Sequence, residues 1–161
     1  MSNGQASHGP ILVAGALRSG TTWIARTLNH ADGVTWINEP DNEWPNVYAL
    51  KAKLRLGRFP ALAEGDRAPR AYERLWERSL AGFREAKYQE AAAWKLNQGE
   101  PTMQALWRAM CDHANRRVSP RLRFLTAIAR PPSSRQPPGV VMVKSVHIPL
   151  AVEWVAAKFR P

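Results

Sequence analysis

The residues best suited to chemistry come early in the chain. In Gly15-Ala16-Leu17-Arg18-Ser19-Gly20-Thr21-Thr22 the two glycines have the spacing of a Walker A phosphate loop, and hydroxyl side chains flank the second of them. Gly20 lets backbone N–H groups wrap around an anion, and a helix starting just after it adds unpaired donors and the positive end of its dipole. The lysine of a Walker A loop is missing, and Thr21 stands in its place. An ATPase or GTPase built this way lacks the charge that steadies a transferring γ-phosphoryl group. Arg18 supplies a cation from a different place, ahead of Gly20, through an always-charged guanidinium that can bind bidentately.

Such a loop needs a strand before it and a helix after it, and the pattern provides both. Ile11 to Ala16 is a short apolar run bounded by Pro10 and Gly15, as in a buried parallel strand. Thr21 to Leu28 has Trp23, Ile24, Thr27 and Leu28 at helical spacing, with stop signals in Asn29 to Gly33. A second strand is expected over Val34 to Ile37, which places Glu39 at its C-terminal end. Amphipathic helices are expected over Val47 to Leu56, Ala71 to Tyr88 and Pro101 to Asn115. The proline-rich stretch Arg130 to Gly139 reads as a surface loop. Val140 to Val143 then forms a β-branched strand running into Lys144-Ser145-Val146-His147, and Pro149 opens a helix through Lys158.

This order predicts an α/β fold: a P-loop-like parallel sheet flanked by helices, with residues 1–10 a flexible leader and residues 11–161 a partial domain. A parallel strand normally follows such a crossover helix, yet the chain stops at Arg160-Pro161. The expectation is therefore a sheet truncated before its next strand, with Val140 to Val143 left as an exposed edge.

A hydrophobic content of 45% against 22% charged residues argues for a folded globule. Ile11 to Leu17 is too short and wrongly flanked for a signal peptide or a membrane span, so a cytoplasmic protein is expected. The single cysteine, Cys111, excludes an internal disulfide framework and provides no metal cluster, so no metal is expected. The formal net charge of +10 favours anionic ligands without specifying which. No zinc finger, RNA-binding signature or alternation of basic and aromatic residues points to nucleic acid.

Arg18-Ser19-Gly20-Thr21-Thr22-Trp23 resembles the 5′-phosphosulfate-binding motif of the sulfotransferases that use 3′-phosphoadenosine 5′-phosphosulfate (PAPS). The resemblance implies PAPS as sulfuryl donor and no metal. It places phosphosulfate contacts on Arg18, Ser19, Gly20, Thr21 and Thr22, and the adenine against Trp23. Two further segments resemble the bacterial branch of the family: Asn38-Glu39-Pro40 after the second strand, and Lys144 to His147 at the end of a central strand. Sulfuryl transfer needs a base and cations over the sulfonate and the leaving phosphate. Lys144 is the second cation, at the strand end where open α/β sheets bind ligands.

Glu39 and His147 compete as base, since both kinds occur in the family. Glu39 is preferred for its interval after the loop, whereas His147 is one residue further from its lysine than in the Lys-Thr-His arrangement of animal cytosolic sulfotransferases. Glu43 is a third acid that could serve. Residues 46–139, mainly helical, fall where acceptor-binding elements of the family vary, so the hydroxyl or amine acceptor stays open. The family's second nucleotide motif, an Arg and a downstream Ser for the 3′-phosphate, is missing from the sequence. A kinase-like nucleotide-binding enzyme and a non-catalytic polyanion-binding module remain the alternatives.

Overall fold

The computed structural model describes residues 9–84, 94–95, 98, 126–132 and 139–161. Strand β1 (Ile11–Ala14) leads through the glycine loop into helix α1 (Thr21–Leu28), and strand β2 (Val34–Asn38) follows. Helices α2 (Val47–Lys53) and α3 (Arg70–Leu80) come next, then strand β3 (Val140–Ser145) and helix α4 (Val152–Phe159). The strands form a three-stranded sheet in the order β1-β3-β2, with both pairings parallel. The α/β class and the parallel sheet flanked by helices are thus as the pattern predicts. The expected helix over residues 101–115 and Cys111 lie outside the described residues.

One expectation is reversed. Val140 to Val143 is not an edge: β3 is the middle strand, paired with β1 on one side and β2 on the other. The crossover through α1 carries the chain from β1 past one strand position to β2, and β3 returns to fill the gap. Its β-branched run fits that place, because a central parallel strand is covered on both faces.

Period-two alternation sorts the side chains between the faces. Ile37, Val141 and Val143 belong to the core that includes Tyr72, Trp76, Ile148, Trp154 and Val155, and the partly buried Leu12 packs against it. That face is closed by α3, against which α2 and α4 pack. Met142 is fully buried outside this cluster, as is Ala25 of α1, and α1 packs on β1 and β3. Full burial of an aromatic such as Trp76 or Trp154 contributes roughly 1.5–3 kcal/mol each, so most of the cohesion lies on the α3 side. α1 leaves Ile24 and Leu28 exposed.

The helix ends have local causes. Asn46 caps α2: its side-chain oxygen accepts from Tyr48 N at 2.8 Å and Ala49 N at 3.1 Å, while its amide donates to the Pro40 carbonyl at 2.7 Å. α3 ends at Leu80, short of the expected span to Tyr88, whose residues 85–88 lie outside the described residues. Gly82 takes φ 87°, its N–H donates to Ser79 O, and Phe83 N donates to Arg78 O, a Schellman stop. α2 likewise ends at Lys53, where the N–H groups of Leu56 and Gly57 both turn back to the Lys53 carbonyl. Pro149 to Ala151 form a turn ahead of α4.

Candidate functional site

The loop between β1 and α1 is built by close approach and by left-handed backbone. A Cβ on Gly15 would come within 2.6 Å of Thr21 Cγ2 and 2.7 Å of Ser19 Oγ, so any larger residue there forces these loop side chains to move. Gly20 takes φ 83° at the start of α1, a conformation that disfavours any L side chain. Arg18 itself has φ 66°, a strained placement for a non-glycine residue. Ser19 N donates to the Ala16 carbonyl at 3.2 Å, which closes the turn, and Trp23 N donates to Gly20 O at 2.9 Å. α1 begins with no side-chain cap and no acid in its first turn. Its leading N–H groups and dipole are therefore directed at whatever anion the loop receives.

A cleft of about 490 Å³ opens over this loop at the C-terminal edge of the sheet. Arg18, Gly20, Thr21, Thr22 and Trp23 line it, together with Glu39 and Lys144. The elements that meet here come from distant parts of the chain: the loop after β1, the end of β2 and the end of β3. Parallel pairing aligns all three C-terminal ends, and Lys144 stands in register with Val13 and Asn38. Ser19 is exposed beside the cleft and does not line it. Trp23 presents its ring to solvent at 72% exposure.

Glu39 leaves β2 with φ 46°, and its N–H donates to the Lys144 carbonyl at 2.6 Å. That turn brings the Glu39 carboxylate onto the Lys144 ammonium as a direct ion pair. Asn42 Nδ2 donates to the other carboxylate oxygen at 2.9 Å. Burial works to raise the Glu39 pKa, but the hydrogen bond and charge of Lys144, the Asn42 amide and the charge of His147 outweigh it. The net shift is downward, so Glu39 is a carboxylate at neutral pH.

His147 is placed differently. It is 2% exposed, its ring stacks on Phe59 with centroids 5.5 Å apart, and it does not line the cleft. Alternation within β3 sends Lys144 to the cleft and Ser145 away from it, and in the bend past the strand Val146 lines the cleft while His147 is buried outside its lining. Desolvation first, then the positive charge of Lys53, push the His147 pKa down to about 4, so the ring is neutral. Ser145 Oγ donates to Asp41 Oδ1 at 2.6 Å and accepts from His147 N at 3.0 Å. Asp41 is fully buried, and desolvation raises its carboxyl pKa to about 6.

Glu43 belongs to this interior group and not to the cleft. It pairs with Lys53 at 2.6 Å, both side chains having no exposure, and Lys53 also donates to the Asp41 carbonyl at 2.9 Å.

Two kinds of residue escaped the sequence reading. Leu17, Arg26 and Val146 also line the cleft; Arg26 was discoverable, because it follows Thr22 by one helical turn. The interior group of Asp41, Lys53 and Ser145 carried no local signal, since its members come from three separate segments. Compared with known proteins, the chain matches no family model, and no curated protein or solved structure is significantly similar to it.

Proposed function

We propose that the chain binds PAPS and transfers its sulfuryl group to a hydroxyl or amine acceptor, on a P-loop-like sheet. The observation that carries this reading is the meeting of the Arg18–Trp23 loop with the Glu39–Lys144 pair in one cleft. The crossover from β1 past the position of β3 to β2, with the anion loop leading into α1, supports the P-loop-like description. PAPS supplies the reactive sulfuryl group on a phosphate leaving group. The loop N–H groups and Arg18 hold the phosphosulfate, with charge-assisted bonds from the guanidinium. Lys144 lies where it can meet the sulfonate oxygens and the bridging oxygen as negative charge develops there.

Glu39 is the proposed base. It accepts the proton of the acceptor group as the acceptor oxygen or nitrogen bonds to sulfur. The sulfur–oxygen bond to the phosphate breaks, its electron pair leaving on the phosphate oxygen. The Lys144 contact holds Glu39 ionised but makes it a weak base. Transfer of the ammonium toward the reacting sulfonate releases that hold, so the carboxylate grows more basic as the proton needs to move. His147 is buried and does not line the cleft, which favours Glu39 for the role. Lys144 stands as the electrostatic partner, with no metal called upon.

A thermal-shift comparison tests the reading. Adenosine 3′,5′-bisphosphate (PAP) should raise Tm more than ATP with magnesium at equal concentration, because a ligand stabilises the folded state in proportion to its affinity for it. A larger shift with ATP and magnesium would favour the kinase-like alternative and overturn the proposal.

A further inference from the structure

The two oxygens of the Glu39 carboxylate are held by different partners. Oε1 meets the Lys144 ammonium, and Oε2 accepts from Asn42 Nδ2 at 2.9 Å. Glu39 and Lys144 line the cleft, whereas Asn42 is half-buried outside its lining. Asn42 reaches Glu39 through a turn that the chain builds locally. Glu39 takes φ 46°, and Asn42 N donates to the Glu39 carbonyl at 3.0 Å, which closes a four-residue turn with Pro40 in its second place. The Asn42 side chain thus comes back onto the carboxylate three positions behind it.

The amide cannot be turned the other way. Asn42 Oδ1 accepts from Trp44 N at 3.1 Å, an Asx turn that only an oxygen can complete. With its oxygen fixed there, the amide presents its N–H to Glu39. The charged and titratable groups around the carboxylate are Lys144 on β3, His147 beyond it, and Arg18 and Arg26 on the loop and α1 side of the cleft. Asn42 differs from the three cations in being neutral and tied to the backbone at its other end, so it stays in place when an anionic ligand draws them.

Resting on the reading of Glu39 as the base of sulfuryl transfer, we propose that Asn42 is a positioning residue that anchors Oε2 and so leaves Oε1, the oxygen Lys144 gives up, to take the acceptor's proton. Lys144 leaves Oε1 for the sulfonate as the acceptor oxygen or nitrogen bonds to sulfur. The sulfur–oxygen bond to the phosphate breaks, its electron pair staying on the phosphate. A carboxylate released by its lysine with no second anchor swings about its own side-chain torsions, and a misplacement of about 1 Å costs up to ~100-fold in rate. Against burial, which raises the Glu39 pKa, Lys144 and then Asn42 lower it. The Asn42 share persists once Lys144 is engaged elsewhere.

The test compares wild type with Asn42→Asp and Asn42→Ala. Aspartate keeps the shape and the oxygen that accepts from Trp44 N but turns an acceptor toward Glu39, whereas alanine loses both bonds. Carbon-13 NMR of the Glu39 carboxyl should show its titration moved to higher pH in both variants, and further in Asn42→Asp, where two carboxylates meet. In a sulfate-transfer assay kcat should fall about tenfold or more in both, with the acid limb of its pH profile moved the same way. The KM for PAPS and the Kd for PAP should stay within about twofold of wild type. Unchanged turnover or an unmoved titration in folded Asn42→Asp would overturn the proposal, because a residue that only closes the turn is replaced by aspartate without loss. Protein that binds no PAP and transfers no sulfate would overturn the donor reading, and the Glu39 titration then decides alone whether Asn42 holds the carboxylate.

Discussion

Two Glu–Lys pairs draw their acids from positions four residues apart and differ in almost every physical respect. Glu39 and Lys144 meet at the mouth of the cleft, the carboxylate side chain 18% exposed and the ammonium 3%. Glu43 and Lys53 meet in the interior with no exposure on either side. The first pair can be approached by water or by a ligand, and its lysine can exchange one anion for another. The second is locked by the Lys53 bond to the Asp41 carbonyl and lies beside the Asp41–Ser145–His147 chain. A buried pair adds little net stability when intact but is very costly to halve, because the survivor keeps its charge without a partner. The neighbouring regions therefore differ: one is an interior scaffold beneath the ends of β2 and β3, the other a cleft edge open to a ligand.

The largest effect should separate the pairs by stability. Lys53→Met should destabilise the fold by about 3 kcal/mol, since it takes the nearest cation from the buried Glu43 carboxylate, leaving Arg58 Nε at 3.7 Å as a more distant partner, and removes the donor to the Asp41 carbonyl. Lys144→Met should lose about 1 kcal/mol or less, because Glu39 keeps the Asn42 amide and access to water. Urea unfolding of both variants measures the difference, and equal losses would erase the distinction between scaffold and edge.

Next in size is a concealed pH dependence of the interior. Folded Asp41 keeps its proton to about pH 6 against 3.8 for the unfolded side chain. Across that window the folded chain binds the extra proton, so the Asp41 contribution is complete below 3.8 and is lost as pH rises through 6. His147 runs the other way. Its folded pKa is about 4 against 6.5 unfolded, so its contribution is complete above 6.5 and is lost as pH falls through 4. Each amounts to about 3 kcal/mol over its window, and between pH 4 and 6 they oppose one another. Asp41→Asn should leave stability rising with pH in that range, and His147→Gln should leave it falling. Parallel pH profiles of wild type and both variants would show that these groups do not titrate as buried ones.

The smallest expected change is confined to the edge. Glu39→Gln should lower sulfuryl transfer about 100-fold, roughly 3 kcal/mol of barrier, while PAP affinity and Tm stay near wild type. His147→Gln should leave turnover per folded molecule within about threefold. The reverse ranking in a sulfate-transfer assay would move the base into the interior.

Much of this arrangement was legible from local pattern. Gly15, Gly20 and the hydroxyl residues announce a tight strand-to-helix turn because few backbones can adopt the φ 83° of Gly20. The β-branched run at Val140 to Val143 announces a buried strand. The end of α3 is also local, since Gly82 takes φ 87° two residues past Leu80, where apolar periodicity alone extends the helix further. The alternation that sends Lys144 to the cleft and His147 away from it was present in the sequence too, provided the strand is taken through Ser145.

What the chain's order of residues dictated was therefore the set of elements and the chemistry at the tip of each strand, since backbone sterics and side-chain period act over a few neighbours. Which strand lies in the middle was decided only in three dimensions. So was whether Glu39 or Glu43 faces the cleft, for the φ 46° turn at Glu39 and the Asn46 bond to the Pro40 carbonyl set the two acids apart. Ser145 reaches Asp41 across 104 residues, while Lys53 turns back to Glu43 and Asp41 from 10 and 12 residues further along. No local rule specifies these partners, because the free energy that joins buried polar groups comes from excluding water around all of them together.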